Sequence, residues 1–205
     1  MSDGATVAFA LSHLSTCAEG RRVLELGSYG NNVRDELSRL GYHVTGIDMR
    51  PGPAVALAAD VTLGLPSEMR GTFDAVLCLE VLEHVYDPRA AVLSAARALR
   101  PGGQMILSAP SPGYPYHEAP VDVWRFTEAD FRDLLATADV CVVRSQGSRP
   151  GVLACARIGE RFTGVGFPSP VRVDSLRFLR RLDATARRSL GAWVDFARAS
   201  GRGAA

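Results

Sequence analysis

Glycines and carboxylates that follow apolar segments near the start of the 205-residue chain are residue types that could together bind a nucleoside. The apolar segment RVLEL is followed by Gly27 and then Gly30, and glycine lets a ligand approach the backbone because no side chain intervenes. A second apolar segment ends in Asp48, 21 residues after Gly27, and this carboxylate can accept two hydrogen bonds from a ribose diol. Asp60 ends a third segment and could accept a hydrogen bond from an adenine amino group. Taken alone, this pattern also fits proteins that bind NAD or FAD.

These groups must be positioned by a sheet, because apolar runs of strand length alternate with segments of helical period. The sequence predicts an α/β fold with a doubly wound, seven-stranded, mostly parallel sheet, an antiparallel last strand, flanking helices and a C-terminal helical extension. The predicted strands are Arg22–Leu26, Tyr42–Asp48, Val55–Asp60, Phe73–Leu79, Gln104–Ala109, Val140–Arg144 and Val152–Ala156. The predicted helices are Thr6–Leu14, Asn32–Leu40, Pro88–Leu99, Thr127–Ala138 and Val171–Ala199.

The composition excludes several classes of protein. Hydrophobic residues make up 47% of the chain, which excludes a disordered protein, and no apolar run approaches the ~20 residues that span a bilayer. Residues 1–20 lack the layout of a secretory signal, so we expect a cytoplasmic protein without membrane contact. The four cysteines are too far apart for a CxxC motif, so we expect reduced thiols.

Charge is unevenly distributed along the chain. Residues 1–139 contain 11 arginines and 18 acidic residues, a net charge of −7, whereas residues 140–205 contain 12 arginines and 4 acidic residues, a net charge of +8. This cationic tail could bind nucleic acid, an anionic substrate, a membrane surface or another subunit. It could equally be the solvated face of a helix.

Six stretches, in their order and spacing, distinguish between the nucleoside cofactors: ELGSYG, TGIDMR, AAD, FDAVLCLEVLEHVYDP, LRPGG and WRFTEADFRDLL. Together they resemble the class I S-adenosylmethionine-dependent methyltransferases, of the type 11 small-molecule kind, over residues 23–138. The resemblance implies a Rossmann-like fold, S-adenosylmethionine as cofactor, and a methyltransferase domain over residues 1–158. This domain would include a helix in residues 1–20 and a substrate loop at residues 110–126. Residues 159–205 would form a Gly/Pro linker and a basic helical extension.

The resemblance also implies a set of cofactor contacts. Glu25 would anchor the methionine end through the adjoining loop, Asp48 would bind the ribose hydroxyls, and Glu80 would lie near the sulfonium. The family pattern E/D-x-G-x-G-x-G has glycine where this chain has Tyr29 and Asn31, so the turn would depend on Gly30. The implied cofactor-binding residues are Glu25, Gly27, Ser28, Gly30, Asp48, Met49, Asp60, Val61, Leu79 and Glu80.

A proline-rich and aromatic stretch, residues 110–126, follows the fifth predicted strand, on the side where an acceptor would meet the methyl group. A loop of this length in a compact domain is usually functional. His117 is the candidate general base, because imidazole titrates near neutrality, and His84 in LEHV is a second candidate. The candidate substrate-binding residues are Tyr114, Tyr116, Trp124 and Arg125, although the last two could instead dock the loop on the sheet. The histidines have no metal-ligand spacing along the chain, so no metal is expected.

The sequence therefore predicts a metal-independent methyltransferase that methylates a hydroxyl, or an amine, of a small metabolite by in-line displacement. One alternative is a nucleic-acid methyltransferase that uses the basic tail. The tail has few aromatic residues for stacking on bases, and the N-P-P-Y/F signature of base-methylating relatives is missing. The other alternative is a cofactor-binding subunit without turnover, which the altered glycine turn permits. The C-terminal helix would either form a homodimer or shape the acceptor pocket.

Overall fold

The computed structural model describes residues 3–14, 21–30, 33–117 and 122–162. Within these ranges the helices are α1 (Gly4–Leu14), α2 (Arg34–Arg39), α3 (Pro88–Ala98) and α4 (Glu128–Leu134). The strands are β1 (Arg22–Leu26), β2 (His43–Asp48), β3 (Leu57–Ala58), β4 (Phe73–Leu79), β5 (Leu99–Pro110), β6 (Asp139–Ser145) and β7 (Gly151–Ile158). The predicted helix Val171–Ala199 and the linker before it lie outside the described residues.

The strands form one sheet in the order β3-β2-β1-β4-β5-β7-β6. β7 is antiparallel to both of its neighbours, and the other neighbouring pairs are parallel. The predicted doubly wound, mostly parallel sheet with an antiparallel last strand is therefore confirmed. The chain runs outward from β1 to β3 on one side and then returns to β4 on the other side of β1. This reversal of strand order brings the carboxyl ends of β1 and β4 next to each other.

Several predicted boundaries differ from those observed. Leu99, which the sequence placed at the end of a helix, instead begins β5 and pairs with Phe73. β3 contains only Leu57–Ala58, because Asp60 leaves the sheet and accepts a hydrogen bond from the backbone N–H of Thr62 at 2.9 Å. α4 ends at Leu134, since tighter backbone turns follow it up to residue 138.

Each face of the sheet is covered by its own apolar cluster. The central strands are buried on both faces, as expected of parallel strands between layers of helices. Phe9 of α1 and Leu37 of α2 pack on one face, whereas Val92 of α3 and Phe131 of α4 pack on the other. Cys78 and Cys155 are buried in the sheet, as the apolar runs around them indicated.

Two side-chain caps set where the chain enters α3 and α4. Asp87 accepts a hydrogen bond from the backbone N–H of Ala90 at 3.0 Å, with Pro88 in the first helical turn. Thr127 and Asp130 each accept a hydrogen bond from the other's backbone N–H, which is a capping box. The caps fix the points at which residues 80–87 join α3 and the 110–126 loop joins α4. In the ranges that the structure describes, no helix has both the length and the apolar character needed to cross a bilayer.

Candidate active site

A cleft of about 460 Å³ opens at the carboxyl ends of β1, β2 and β4. Its volume lies within the range of roughly 300–1,000 Å³ that is common for small-molecule sites. Two predicted cofactor-binding residues, Glu25 and Ser28, do not line it. The other predicted cofactor-binding residues line it: Gly27, Gly30, Asp48, Met49, Asp60, Val61, Leu79 and Glu80. His84 also lines this cleft, so the structure brings one of the two candidate bases to the same place.

Gly27 forms the turn between β1 and the cleft, and no larger residue fits there. Its φ is +79°, which strains any other residue, and a Cβ atom at this position would collide with Cγ2 of Val81. The next residues form a short 3₁₀ turn, Ser28–Gly30, that turns the side chain of Tyr29 outward. Arg50 lies over the Tyr29 ring, with Cζ 4.1 Å from its centroid. Sequence reasoning treated Tyr29 only as a departure from the glycine pattern and missed this aromatic wall of the cleft.

Asp48 is held at the end of β2 with its carboxylate turned toward the loop that follows β1. One oxygen accepts a hydrogen bond from the backbone N–H of Tyr29 at 3.2 Å, and the other from that of Arg50 at 3.0 Å. A carboxylate oxygen can accept more than one hydrogen bond. The side chain is therefore oriented by the protein and retains acceptor capacity for a ligand in the cleft.

Glu25 lies behind the cleft rather than in its wall. It is 4% exposed, and this burial raises the pKa of its carboxyl to about 7, against the opposing effects of Arg34 and the backbone N–H of Val33. Ser28 is also fully buried. An anchoring role of Glu25 through the adjoining loop stays a prediction.

Glu83, His84 and His117 come together at the β4 end of the cleft. The rings of the two histidines are 4.9 Å apart, edge to face. Oε1 of Glu83 lies 3.6 Å from Nε2 of His84 and 4.0 Å from Nε2 of His117. Sequence reasoning missed this cluster and found no metal spacing, because the two histidines are 33 positions apart along the chain. A carboxylate oxygen of Glu83 and one ring nitrogen of each histidine all lie within 4.8 Å of one another. Groups at this separation can share a proton or a cation.

Glu83 is fully buried, and neither carboxyl oxygen has a hydrogen-bond partner among the described residues. Burial, followed by the negative charge of Glu80, raises the pKa of Glu83 well above its ordinary value. Its backbone carbonyl accepts a hydrogen bond from the N–H of Val123 at 2.8 Å. The backbone of Glu83 thus joins the segment after β4 to the end of the 110–126 loop.

Asp122 and Arg125 fix the loop around His117. Nδ1 of His117 lies 2.9 Å from Oδ2 of Asp122, and both carboxylate oxygens of Asp122 accept hydrogen bonds from the guanidinium of Arg125. Burial alone would raise the pKa of Asp122, but the bonds from Arg125 and from the backbone N–H of His117 outweigh it and lower that pKa. Arg125 also donates to the backbone carbonyls of Tyr114 and Pro115.

The remaining predicted substrate residues are differently placed. Trp124 is 4% exposed and donates its indole N–H to the carbonyl of Val85 at 2.8 Å. This indole therefore docks the loop, as Arg125 does, and neither residue is among those that line the cleft. Tyr116 is largely exposed. The ring of Tyr114 lies 5.8 Å from that of His117, edge to face, so it stays close to the candidate base.

Residues 5–140 match the family described as the methyltransferase domain. The chain belongs to this methyltransferase-domain family.

Among curated members of the methyltransferase superfamily, the chain is similar to the ubiquinone biosynthesis O-methyltransferase of Xanthomonas oryzae, with 39% identity over 102 residues. It is 38% identical over 102 residues to the protein of the same name from Pseudomonas aeruginosa. The first match covers 43% of this chain and 43% of the relative, and the second covers 43% and 44%. The chain therefore matches less than half of the length of these relatives.

Two solved methyltransferase structures share the fold. One is the 1,6-didemethyltoxoflavin-N1-methyltransferase of Burkholderia thailandensis, at a TM-score of 0.63 and 19% identity, covering 77% of this chain and 78% of that one. The other is the magnesium protoporphyrin IX methyltransferase of Synechocystis, at a TM-score of 0.57 and 20% identity, covering 74% and 77%. These structures were solved with bound S-adenosylhomocysteine and S-adenosylmethionine, respectively.

We predict that Glu25→Gln removes a pH dependence of stability. Because the folded state holds the pKa of Glu25 at about 7 rather than at its ordinary 4.5, the stabilisation is complete at low pH and is lost as the pH rises through both values. Urea denaturation should show the wild-type free energy of unfolding falling by roughly 3 kcal/mol relative to Glu25→Gln between about pH 4 and pH 8. The exposed control Glu68→Gln should follow the wild type. If the difference in free energy of unfolding between the wild type and Glu25→Gln is constant from about pH 4 to pH 8, the raised pKa of Glu25 is contradicted.

Proposed function

We propose that this chain is an S-adenosylmethionine-dependent methyltransferase that methylates a hydroxyl, or an amine, of a small molecule. One observation carries the proposal: the cleft beside the β1/β4 reversal has a fixed carboxylate, Asp48, at one end and the Glu83–His84–His117 cluster at the other. Membership of the methyltransferase-domain family supports the reaction class. The O-methyltransferase relatives support a hydroxyl acceptor in particular.

The order of the strands sets the orientation of the cofactor in this proposal. Asp48 ends β2 and Glu80 follows β4, with β1 between them. Asp48 would hold the ribose hydroxyls, Met49 and Asp60 would lie beside the adenine, and Gly27 would allow the methionine half to approach β4. A cofactor held in this way would present its methyl group toward the loop that follows β5.

S-adenosylmethionine supplies a methyl group on a cationic sulfur, so that an acceptor oxygen can displace S-adenosylhomocysteine in one in-line step without a metal. The task of this chain is to align the acceptor with the carbon–sulfur bond. Such alignment can lower a barrier by ~7–11 kcal/mol. Tyr114 provides an apolar surface beside His117 for the acceptor.

His117 accepts the hydroxyl proton in this mechanism. Its Nδ1 lies 2.9 Å from Oδ2 of Asp122, and the same carboxylate oxygen accepts a hydrogen bond from the backbone N–H of His117 at 2.9 Å, which holds this residue beside the acid. Nε2 points to the β4 end of the cleft, where Glu83 and His84 lie. Arg125 and the buried Trp124 hold the loop in place, which keeps the base within reach of a bound acceptor.

We predict that His117→Ala lowers turnover at least tenfold, because a positioned base contributes roughly 10²–10⁴-fold to such reactions. The dissociation constant of S-adenosylhomocysteine should stay within about twofold of the wild type, since His117 does not line the cofactor part of the cleft. The exposed residue His43, at the amino end of β2, gives a matched control in His43→Ala. Turnover that is unchanged in His117→Ala and reduced in His84→Ala would transfer the role of base to His84.

We also predict that Asp48→Ala raises the dissociation constant of S-adenosylhomocysteine at least about tenfold, because hydrogen bonds to a charged group contribute roughly 1.5–3 kcal/mol each. Isothermal titration calorimetry measures this directly. The matched control is Asp133→Ala, an exposed carboxylate on α4. Wild-type affinity in Asp48→Ala would remove the ribose assignment.

A further inference from the structure

Arg149, in the turn between β6 and β7, joins three other segments at the edge of the cleft. Nη2 donates to Oε2 of Glu80 at 2.7 Å, and Nη1 donates to the hydroxyl of Tyr114 at 2.8 Å. Nε lies 3.0 Å from Oδ2 of Asp3, at the start of α1. The side chain of Arg149 is 17% exposed. One guanidinium therefore connects α1, the residue after β4 and the loop after β5.

Glu80, the partner of Arg149, is held in one conformation on the floor of the cleft. Its φ is +58°, and it is the single non-glycine residue with a positive φ among those that the structure describes. Its other carboxylate oxygen accepts a hydrogen bond from the hydroxyl of Ser108 at 2.7 Å. Backbone strain of this kind persists where the surrounding structure imposes it, and it is concentrated at functional sites.

Arg149 carries the positive charge that two carboxylates share at this point. Glu80 brings a negative charge to the cleft, and Arg149 places a positive charge 2.7 Å from it. Burial alone would lower the pKa of Arg149, but Glu80 and Asp3 outweigh it and raise that pKa, so the guanidinium stays charged. Arg149 therefore offsets much of the negative charge that the Glu80 carboxylate brings to the cleft, although it shares its own charge with Asp3.

We propose that Arg149 is a positioning residue that sets the orientation and the effective charge of Glu80, and thereby the preference of the cleft for S-adenosylmethionine over S-adenosylhomocysteine. The proposal rests on the proposed function, and specifically on an orientation that places the sulfur near β4. The two ligands differ there by one positive charge, since the sulfur is cationic before transfer and neutral after it. A nearby uncompensated carboxylate would favour the cation, and an uncompensated guanidinium would disfavour it.

The test measures the dissociation constants of both ligands by calorimetry, without any acceptor, and compares their ratio between variants. Glu80→Gln removes one negative charge and leaves Arg149 paired with Asp3 alone, so the preference for S-adenosylmethionine should fall at least about threefold. Arg149→Met removes the positive charge beside Glu80, so the preference should rise by a similar factor. The double variant restores the wild-type net charge at this point and should return within about twofold of the wild-type ratio.

Two further variants separate charge from structural support. Arg149→Lys keeps the positive charge and should keep the wild-type ratio, even where both affinities fall. Arg100→Met removes another arginine–carboxylate pair, Arg100–Asp74 at 2.8 Å, located at the amino ends of β4 and β5 and away from the cleft. It should leave the ratio unchanged and controls for the loss of an ion pair.

A ratio equal to the wild type in both Glu80→Gln and Arg149→Met would overturn the proposal, and Arg149 would then only support the fold. Arg149→Met is left out of this test if its thermal melt shows that it does not fold. Glu80→Gln and Arg149→Lys then test the proposal, because an unchanged ratio of dissociation constants in Glu80→Gln is sufficient to reject it. A wild-type protein that binds neither ligand would reject the proposed function as well. A failure of His117 as the base leaves this experiment unaffected, since no acceptor is present.

Discussion

The site depends on one topological constraint, the reversal of strand order between β1 and β4. Parallel strands end at the same edge of a sheet, and the segments that leave β1 and β4 run to opposite sides, so a cleft remains between them. Gly27 keeps this cleft open, because its backbone conformation and its contact with Val81 exclude any side chain. Asp48, Glu80 and the histidine cluster meet there because each follows a strand that ends at this edge.

Three acidic side chains at the β4 end of the cleft, Asp122, Glu80 and Glu83, each have a different environment. Asp122 is compensated by Arg125 and lies beside His117, so it can orient a base. Glu80 is paired with Arg149, which reduces the negative charge at the floor of the cleft. Glu83 has no such partner among the described residues, and its raised pKa favours the protonated form. A site built in this way suits a reaction in which one positive charge disappears from the cofactor and one proton leaves the acceptor.

The sequence predicted the features that depend on local periodicity and failed where distant segments meet. The strands and the Asp87 cap could be predicted, because apolar runs and capping residues act over a few positions. Of the eight predicted residues that line the cleft, the glycines, Asp48 and Asp60 could be predicted from the ends of apolar segments, and the others were implied by the family resemblance. The side-chain partners of Asp122 and Arg149 could not be predicted, because the paths of the loops determine which side chains meet. The sequence also left open whether Trp124 binds substrate or docks the loop, because its indole is held by the backbone carbonyl of Val85 in a different segment.

The decisive measurement is a crystal structure of the protein with S-adenosylhomocysteine. Both ribose hydroxyls should lie within hydrogen-bond distance of the Asp48 carboxylate. The sulfur should lie nearer to Glu80 than to Asp48, with open space between the sulfur and Nε2 of His117. A nucleoside bound at the β4 end, or a sulfur directed away from the 110–126 loop, would contradict this arrangement.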